Sequence, residues 1–191
     1  SDALGLRPDE EAVVESAMLN RRTEFAAGRR AARRALQALG RDQTAILADT
    51  SRAPIWPDGI TGSITHDQGV ALAALADTRH ITALGIDLTQ AAPLPGQTRH
   101  SILHAPVEQE LDAIEARAAF AIKECLFKAL YPRVGRFFGF DAAIAAPDLA
   151  QQSFTATLTG DLGPYSNGAV FSGVLITGPA WITAALAIPA Q

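Results

Sequence analysis

The stretch Phe120-Ala-Ile-Lys-Glu-Cys-Leu-Phe-Lys128 sets two lysines and one glutamate inside an otherwise apolar run. Advancing about 100° per residue, the helical step, brings Phe127 close to Phe120 and leaves Leu130 on the same side with Ala116 and Ala119. Lys123 falls within that apolar sector, while Glu124 and Lys128 sit together at its edge, one turn apart. A helix lying on water would turn its charges away from the apolar stripe. This one turns a cation, a carboxylate and another cation toward or beside a buried surface, which suits the wall of a pocket. A snorkelling Lys123 and an ordinary Glu124–Lys128 pair of about 0.2–0.5 kcal/mol would give the same pattern. The rest of the chain decides between them.

Outward from that stretch, Pro106 is placed to begin the helix, with Glu108 and Glu110 in first turns where the helix dipole favours acids. The helix is expected to run to about Leu130, with Pro132 ending it. An aromatic loop follows, Arg136-Phe-Phe-Gly-Phe140, and then three strands, Phe154 to Thr159, Val170 to Ile176 and Trp181 to Ile188. Upstream, Gln90 to Ala105 is rich in Pro, Gly, Gln and His and reads as a mobile connection. Before it, Gly69 to Ala76 and Ile81 to Asp87 read as two strands of a hairpin turned at Asp77–His80. Asp87 there sits in apolar company, so its carboxylate must be paired, hydrogen-bonded, neutral or metal-bound.

The first half opens with residues 1–9, expected to be a poorly fixed start, which could lie within a longer natural sequence. A long helix is predicted from about Asp9 to Leu39, stopped by Gly40. Val14, Met18, Phe25, Ala32, Leu36 and Leu39 share one face, and Arg21 projects onto it. Arg22, Arg29 and Arg33 follow its border; Arg30 and Arg34 point to solvent. A cation beside the core needs an anion or water, and a phosphate would serve. A short strand-like run from Ala45 to Leu47 precedes the loop Ser51 to Gly59, stiffened by Pro54 and Pro57, with Arg52 at its front. Gly62-Ser-Ile-Thr-His66 is an extended segment. Each half therefore offers one long helix and several strands. The expected fold is α+β in two similar halves, residues 1–89 and 106–191, joined by a linker at 90–105.

Composition narrows the class. Hydrophobic residues make up 48% of the 191 and charged ones only 19%, which is globular rather than disordered. A net charge of −4 argues against a generic nucleic-acid binder. Cys125 is the single cysteine, so no disulfide or cysteine metal cluster is available within the chain, and it reads as a packing residue. No stretch has the length and purity of a membrane span, and the polar, acidic start is unlike a signal peptide. A soluble, cytoplasmic protein is expected.

Two carboxylates, Asp87 at a strand end and Glu124 on a helix, can hold Mg²⁺, which prefers oxygen ligands and is commonly completed by substrate phosphates. Arg21, Arg29, Arg52, His66, Lys123 and Lys128 could hold those phosphates. Taken alone, this supports a Mg²⁺-dependent enzyme acting on a phosphate ester. There is no Walker loop, dinucleotide fingerprint or kinase signature.

Four segments in order carry the reading further: Arg21-Arg-Thr-Glu-Phe-Ala-Ala-Gly-Arg29; Ala53-Pro-Ile-Trp-Pro57 with Gly62-Ser-Ile-Thr-His66; Gly85-Ile-Asp87; and Phe120 to Lys128. Together they resemble the motifs of 4′-phosphopantetheinyl transferases, of the larger monomeric class that activates siderophore, peptide and polyketide synthetases. The match spans roughly Glu11 to Phe140. Any one motif is weak; four in order with the Lys-Glu-x-x-x-Lys spacing intact are specific.

The resemblance implies a pseudo-twofold fold with coenzyme A in the cleft between the halves. It also implies transfer of the phosphopantetheine arm to a serine of an apo carrier protein, releasing adenosine 3′,5′-bisphosphate. Asp87 and Glu124 would bind Mg²⁺, with Glu124, directly or through a metal-bound water, as the base for the serine. Lys123 and Lys128 would hold the pyrophosphate. Arg21, Arg29 and His66 would grip the 3′-phosphate, with Thr65 assisting. The Arg52–Pro54 loop would border the adenine, and Phe137 would lie along the pantetheine arm. Carriers of fatty-acid, polyketide or nonribosomal-peptide synthesis are the implied partners, and a monomer the implied state.

One position departs from the family pattern. Many members have a further acid two residues after the motif aspartate, where this chain has Thr89; weaker Mg²⁺ binding, or use of Mn²⁺, would follow. Two other readings compete. A CoA- or nucleotide-binding module without catalysis would bind CoA and transfer nothing. A nucleic-acid binder using the Arg21–Arg34 helix leaves Asp87 and Glu124 unexplained and conflicts with the acidic balance.

Overall fold

The computed structural model describes residues 4–190. They divide into two compact units, residues 4–84 with 188–190, and residues 85–187. In each, a long helix packs on antiparallel strands, so the α+β architecture expected from the sequence is present.

In the first unit, α1 (Pro8–Val13) and α2 (Leu19–Ala38) replace the single helix expected over 9–39. The chain turns between them, with the Ala17 N–H donating to Val14 O at 3.0 Å. The break carries Val14 into the core and leaves Met18 84% exposed, so Met18 does not share the apolar face. Leu39 is likewise exposed. Gly40 does stop α2. Its φ of 69° is left-handed, and the Gly40 and Arg41 N–H groups donate to Gln37 O and Leu36 O, which ties off the last carbonyls.

Of the start expected to be loose, residues 1–3 lie outside the described part; residues 4–9 are fastened. Leu6 is buried with Val14, Phe25 and Ala26. Beneath them Glu10, fully buried, takes two bonds from Arg33 Nη1, at 2.6 and 2.5 Å, and one from the Ile46 N–H at 3.0 Å. Arg33 also donates to Gly5 O at 2.7 Å. Arg33 is therefore the buried half of an ion pair rather than a border residue. Arg30, expected in solvent, is exposed but donates to Leu4 O.

The second core cluster of this unit, Ala32, Leu36, Ile46 and Ile60, lies where α2 meets β1 (Ile60–Asp67) and β2 (Val70–Asp77). These two strands form the hairpin. Asp67 pairs with Val70 across a two-residue turn, Gln68-Gly69, whose φ values of 44° and 80° are both positive. That is the type I′ geometry that matches strand twist. The hairpin expected at Asp77–His80 does not form: β3 (Ile81–Gln90) belongs to the other sheet. Nor does Ala45–Leu47 make a strand. Only an isolated bridge, Ala48 to Pro54, marks that region.

Strand β3 passes from the first unit into the second at Gly85. The connection beyond it is more ordered than a linker. It holds α3 (Gly96–Ile102), with Ile102 and Leu103 essentially fully buried. A single turn, α4 (Pro106–Gln109), is separated from α5 (Ala113–Val134), so the central helix starts later than expected. Asp112 explains where it starts. Its carboxylate accepts the Ile114 and Glu115 N–H groups at 2.7 and 2.8 Å, while Glu115 accepts the Asp112 N–H at 2.9 Å, a capping box. Pro132 lies inside α5 and does not end it; Gly135, left-handed at φ 68°, does.

The three predicted strands of this unit appear as β5 (Ser153–Leu158), β6 (Val170–Thr177) and β7 (Trp181–Pro189). A fourth, β4 (Ala143–Asp148), was not legible in its Ala- and Pro-containing sequence. The sheet order is β3-β7-β6-β5-β4, which puts Pro147 on an edge strand, where a missing N–H is tolerated. Ile122, Leu126 and Leu130 of α5, with Phe154, Leu158, Leu175 and Ile182 of the strands, are buried. Each such side chain is worth about 1.5–3 kcal/mol removed from water.

Candidate active site

Gly85 decides how closely β3 approaches α5. A Cβ at that position would lie 2.0 Å from Cys125 O and 2.9 Å from the Ala129 nitrogen. Only glycine allows this contact, and the Cys125 thiol closes it with a bond to Gly85 O at 3.1 Å. Burial pushes that thiol strongly up, so Cys125 is a packing group, as expected. Two residues along the same strand face, Asp87 is 6% exposed and its Oδ1 accepts Lys128 Nζ at 2.6 Å.

Glu124 stands one turn before Lys128 on α5. Burial first, then the nearby Asp87 carboxylate, push its carboxyl up, and Lys128 pulls it back. Asp87, Glu124 and Lys128 are thus brought together as the sequence suggested. Among the described residues no third His, Cys, Asp or Glu joins them. Two carboxylates close enough to resist joint ionisation form a hard, oxygen-only donor set, which fits Mg²⁺ completed by phosphate or water.

Thr89, two residues beyond Asp87 on the same face of β3, is 4% exposed. Its Oγ1 accepts Arg117 Nη1 at 3.3 Å, while Arg117 also donates to Ala92 O at 2.7 Å and Pro93 O at 2.9 Å. Arg117 was missed in the sequence. The available signal was its spacing: seven residues before Glu124, it lies on the same helix face.

Lys123 is placed elsewhere. Its side chain is 2% exposed, and Nζ donates to Ile102 O at 2.8 Å, to Phe140 O at 2.9 Å and to the Glu108 carboxylate, whose nearer oxygen is 2.8 Å away. An ammonium has three protons, and these acceptors use all of them. The expectation that Lys123 holds a pyrophosphate is corrected on that ground. The dipole account of Glu108 is also incomplete, for its carboxylate, 1% exposed, additionally accepts the N–H groups of His104, Ala105 and Ala145. Burial pulls the Lys123 ammonium down, and Glu108 opposes that.

Phe137 is 77% exposed, on the rim of an aromatic cluster centred on Phe127, whose ring lies 5.5 Å from it and 4.9 Å from Phe138. Beside it opens a cavity of about 280 Å³, lined in part by Arg136, Phe138, Asp141, Thr159 and Asp161.

The first unit gathers its own charged group. Arg21 Nη1 lies 3.1 Å from His66 Nε2, and Glu24 is 3.7 Å from both. The close approach of α2 to β1 that permits this rests on Gly28, where a Cβ would come 2.8 Å from Ile64 Cγ2. Arg29 is 5% exposed, stacked 4.0 Å over Phe25, and donates to Ile46 O at 2.6 Å and Leu47 O at 3.3 Å. Burial pushes it down to about 10, so it stays charged at neutral pH. Thr65 is buried on the face of β1 opposite His66. Arg52 is exposed with φ 69°, in a turn where Asp49 accepts the Ser51 and Ala53 N–H groups, and Pro54 bridges to Ala48.

Residues 9–76 match the family model described as the 4′-phosphopantetheinyl transferase N-terminal domain, and residues 83–174 that of the 4′-phosphopantetheinyl transferase superfamily. The 4′-phosphopantetheinyl transferase Svp of Streptomyces mobaraensis is 37% identical over 197 residues, covering 97% of this chain and 79% of that protein. The 4′-phosphopantetheinyl transferase PptT of Mycobacterium tuberculosis is 29% identical over 94% of this chain and 79% of its own length. Enterobactin synthase component D of Salmonella typhi is 34% identical over 68% of this chain and 56% of its own. Among the described residues no helix is long and apolar enough to cross a membrane.

Proposed function

The chain belongs to the 4′-phosphopantetheinyl transferase superfamily and is a phosphopantetheinyl transferase, and from that premise we propose how its residues divide the work. The family uses coenzyme A as a substrate and carrier proteins as acceptors. The carrier serine Oγ attacks the phosphorus that bears the pantetheine arm. The bond from that phosphorus to the bridging oxygen breaks, and adenosine 3′,5′-bisphosphate leaves with the oxygen.

The observation that carries the assignment is the convergence of Asp87, Glu124 and Lys128 on one strand end and one helix turn. Asp87 and Glu124 would hold Mg²⁺, which when bound neutralises charge on the pyrophosphate and the leaving oxygen. Glu124, whose carboxylate belongs to the same site, would take the serine proton. Lys128, a quarter exposed on its side chain, turns from Asp87 to the pyrophosphate oxygens. Arg21 and His66, with Arg29 behind them, supply cations for the 3′-phosphate. Arg52 and Pro54 border the adenine. Phe137 and the cavity beside it suit the pantetheine arm, which is long, partly apolar and hydrogen-bonding. Thr65, buried on the far face of β1, would support His66 through the strand rather than by contact.

The name of the Salmonella typhi relative supports a carrier in enterobactin-type siderophore synthesis as one partner; fatty-acid, polyketide and other peptide carriers are the further set. The test is intact-mass measurement of apo carriers incubated with the protein, CoA and Mg²⁺, with an EDTA control. The expected result is a metal-dependent gain of one phosphopantetheine on the carrier serine. A gain that persists unchanged in EDTA removes the metal from the scheme.

A further inference from the structure

We infer that the cavity beside Phe137 sorts thioesters of coenzyme A by charge, favouring an arm with a neutral acyl group over one that ends in a carboxylate. The inference rests on the reading of that cavity as the seat of the pantetheine arm. Its walls are the loop after α5 and the turn after β5, and they are fastened to each other. Thr159 Oγ1 donates to Asp141 O at 2.7 Å, and the Thr159 N–H donates to Ala142 O at 3.0 Å. Asp161 is fixed as well, since its Oδ1 accepts the Asn167 N–H at 2.7 Å. The space of about 280 Å³ is therefore preformed. Phe138, which lines it, packs 4.9 Å from Phe127, a residue that stands between Glu124 and Lys128 along α5. One ring thus separates the cavity wall from the helix turn that carries those groups.

Charge is what this cavity adds to shape. Asp141, Asp161 and Arg136 line it, two carboxylates against one guanidinium. Asp141 also acts on Lys123 at a distance, but Glu108 already neutralises that lysine. One negative charge is left in excess. The pantetheine arm suits such a lining, because its amide N–H groups and hydroxyl can donate to carboxylates. A neutral acyl group on the sulfur meets Phe137, Phe138 and Leu162. A carboxylate carried to the same place loses hydration and faces like charge, with Arg136 outnumbered. The acyl–sulfur bond takes no part in the reaction. The serine Oγ–phosphorus bond forms, the bond from phosphorus to the bridging oxygen breaks, and the thioester moves intact with the arm. The acyl group therefore acts on transfer only through where it sits, and repulsion there lowers kcat/KM.

The experiment compares propionyl-CoA with malonyl-CoA, which differ by a methyl group against a carboxylate, and reads the mass gained by an apo carrier. The expected result is a kcat/KM about fivefold higher for propionyl-CoA, the scale of one like charge in a site open to water. In the double variant Asp141→Asn, Asp161→Asn the ratio should fall toward one, and in Arg136→Gln it should widen. Asparagine at 161 keeps the oxygen that accepts the Asn167 N–H. Because the ratio is taken within each protein, a general loss of activity or of folded molecules cancels. Equal kcat/KM for the two thioesters in the unmodified protein overturns the selection. A preference for malonyl-CoA also overturns it and gives the carboxylate to Arg136. A ratio that the double variant leaves unchanged removes the two acids from the account.

Gly160→Trp supplies the second arm and separates a failed selection from a misplaced arm. Gly160 lines the cavity, and a Cβ added there meets nothing within 4 Å, so a ring can fill the space without displacing its neighbours. KM for CoA should rise severalfold. An unchanged KM would put the pantetheine arm elsewhere and overturn the reading of the cavity together with the selection. A raised KM beside equal rates for the two thioesters spares that reading and strikes the selection alone.

Discussion

Lys128 Nζ lies 2.6 Å from Asp87 Oδ1, so the site holds its own cation against the acid that would otherwise hold a metal. The Asp87 side chain is 8% exposed and that of Lys128 26%, so the pair is largely buried, and removing the lysine strips a buried carboxylate of this cation. Lys128→Met should therefore lower stability in urea unfolding, by up to about 3–5 kcal/mol, and also lower transfer per folded molecule sharply at saturating CoA. Full transfer by the molecules that remain folded would leave the lysine a fold residue only.

Glu124→Gln should reduce transfer by about a hundredfold or more, the scale of a general base. Its stability should move the other way. Because the folded-state pKa of Glu124 is raised, its stabilising contribution is full below the unfolded pKa and is lost as pH rises through the folded value. At neutral pH in EDTA the uncharged glutamine is spared that loss. Differential scanning calorimetry should give a Tm equal to or above the parent's, and a lowered Tm would mean that Glu124 helps hold the fold.

Lys123 and Glu108 behave as a buried unit. Lys123→Ala should cost about 3–5 kcal/mol in urea unfolding, the scale for stripping one partner from a buried ion pair. Molecules that remain folded should keep the parent KM for CoA. A raised KM without lost stability would return Lys123 to the phosphate-binding set.

These two lysines show what the sequence could and could not tell. Both follow from helical spacing, and the projection placed Lys123 in the buried sector and Lys128 at its edge. What lay beyond reach was the partner. Glu108 is fifteen residues from Lys123, across a loop and a helix start, and no periodicity links them. The same holds for Glu10 and Arg33, paired across the break between α1 and α2. Local signals did better. Gly40 and the α5 face were legible because caps and periods are local, whereas the β1–β2 hairpin was missed although Gln68-Gly69 is a two-residue turn signal. Pairing partners of strands are a global choice, and β3 chose β7.

Gly85→Ala should be costly despite its small size. The added Cβ would lie 2.0 Å from Cys125 O, a backbone atom that cannot rotate away. Overpacking of this kind costs about 1–3 kcal/mol, and it should also part Asp87 from Lys128. Activity corrected for the folded fraction should fall together with the urea midpoint. A stable variant with full activity would show that α5 can retreat without disturbing the acid pair.

Cys125 should be inert in the folded protein. It is buried, and desolvation pushes its thiol up, so the reactive thiolate is scarce at any working pH. Labelling with a disulfide reagent should be negligible in native buffer and stoichiometric in guanidinium chloride. Prompt native labelling would mean that β3 and α5 separate at Gly85 on the timescale of the assay.

Arg21 and Arg29 divide the cation role in a way that kinetics can separate. Arg21 is exposed and held loosely by His66 and Glu24, which leaves it available to a phosphate. Arg29 is buried and spends donors on Ile46 and Leu47 carbonyls. Arg21→Ala should raise KM for CoA by about tenfold, the loss of one charge-assisted hydrogen bond, and leave KM for 3′-dephospho-CoA near the parent value. Arg29→Ala should lower the urea midpoint as well, because the buried Ile46 carbonyl loses its side-chain donor, and its kinetic effect should fall on both substrates once the 46–55 segment loosens. Selectivity for CoA in Arg29→Ala, with stability intact, would reverse the two roles and place the 3′-phosphate on the buried arginine.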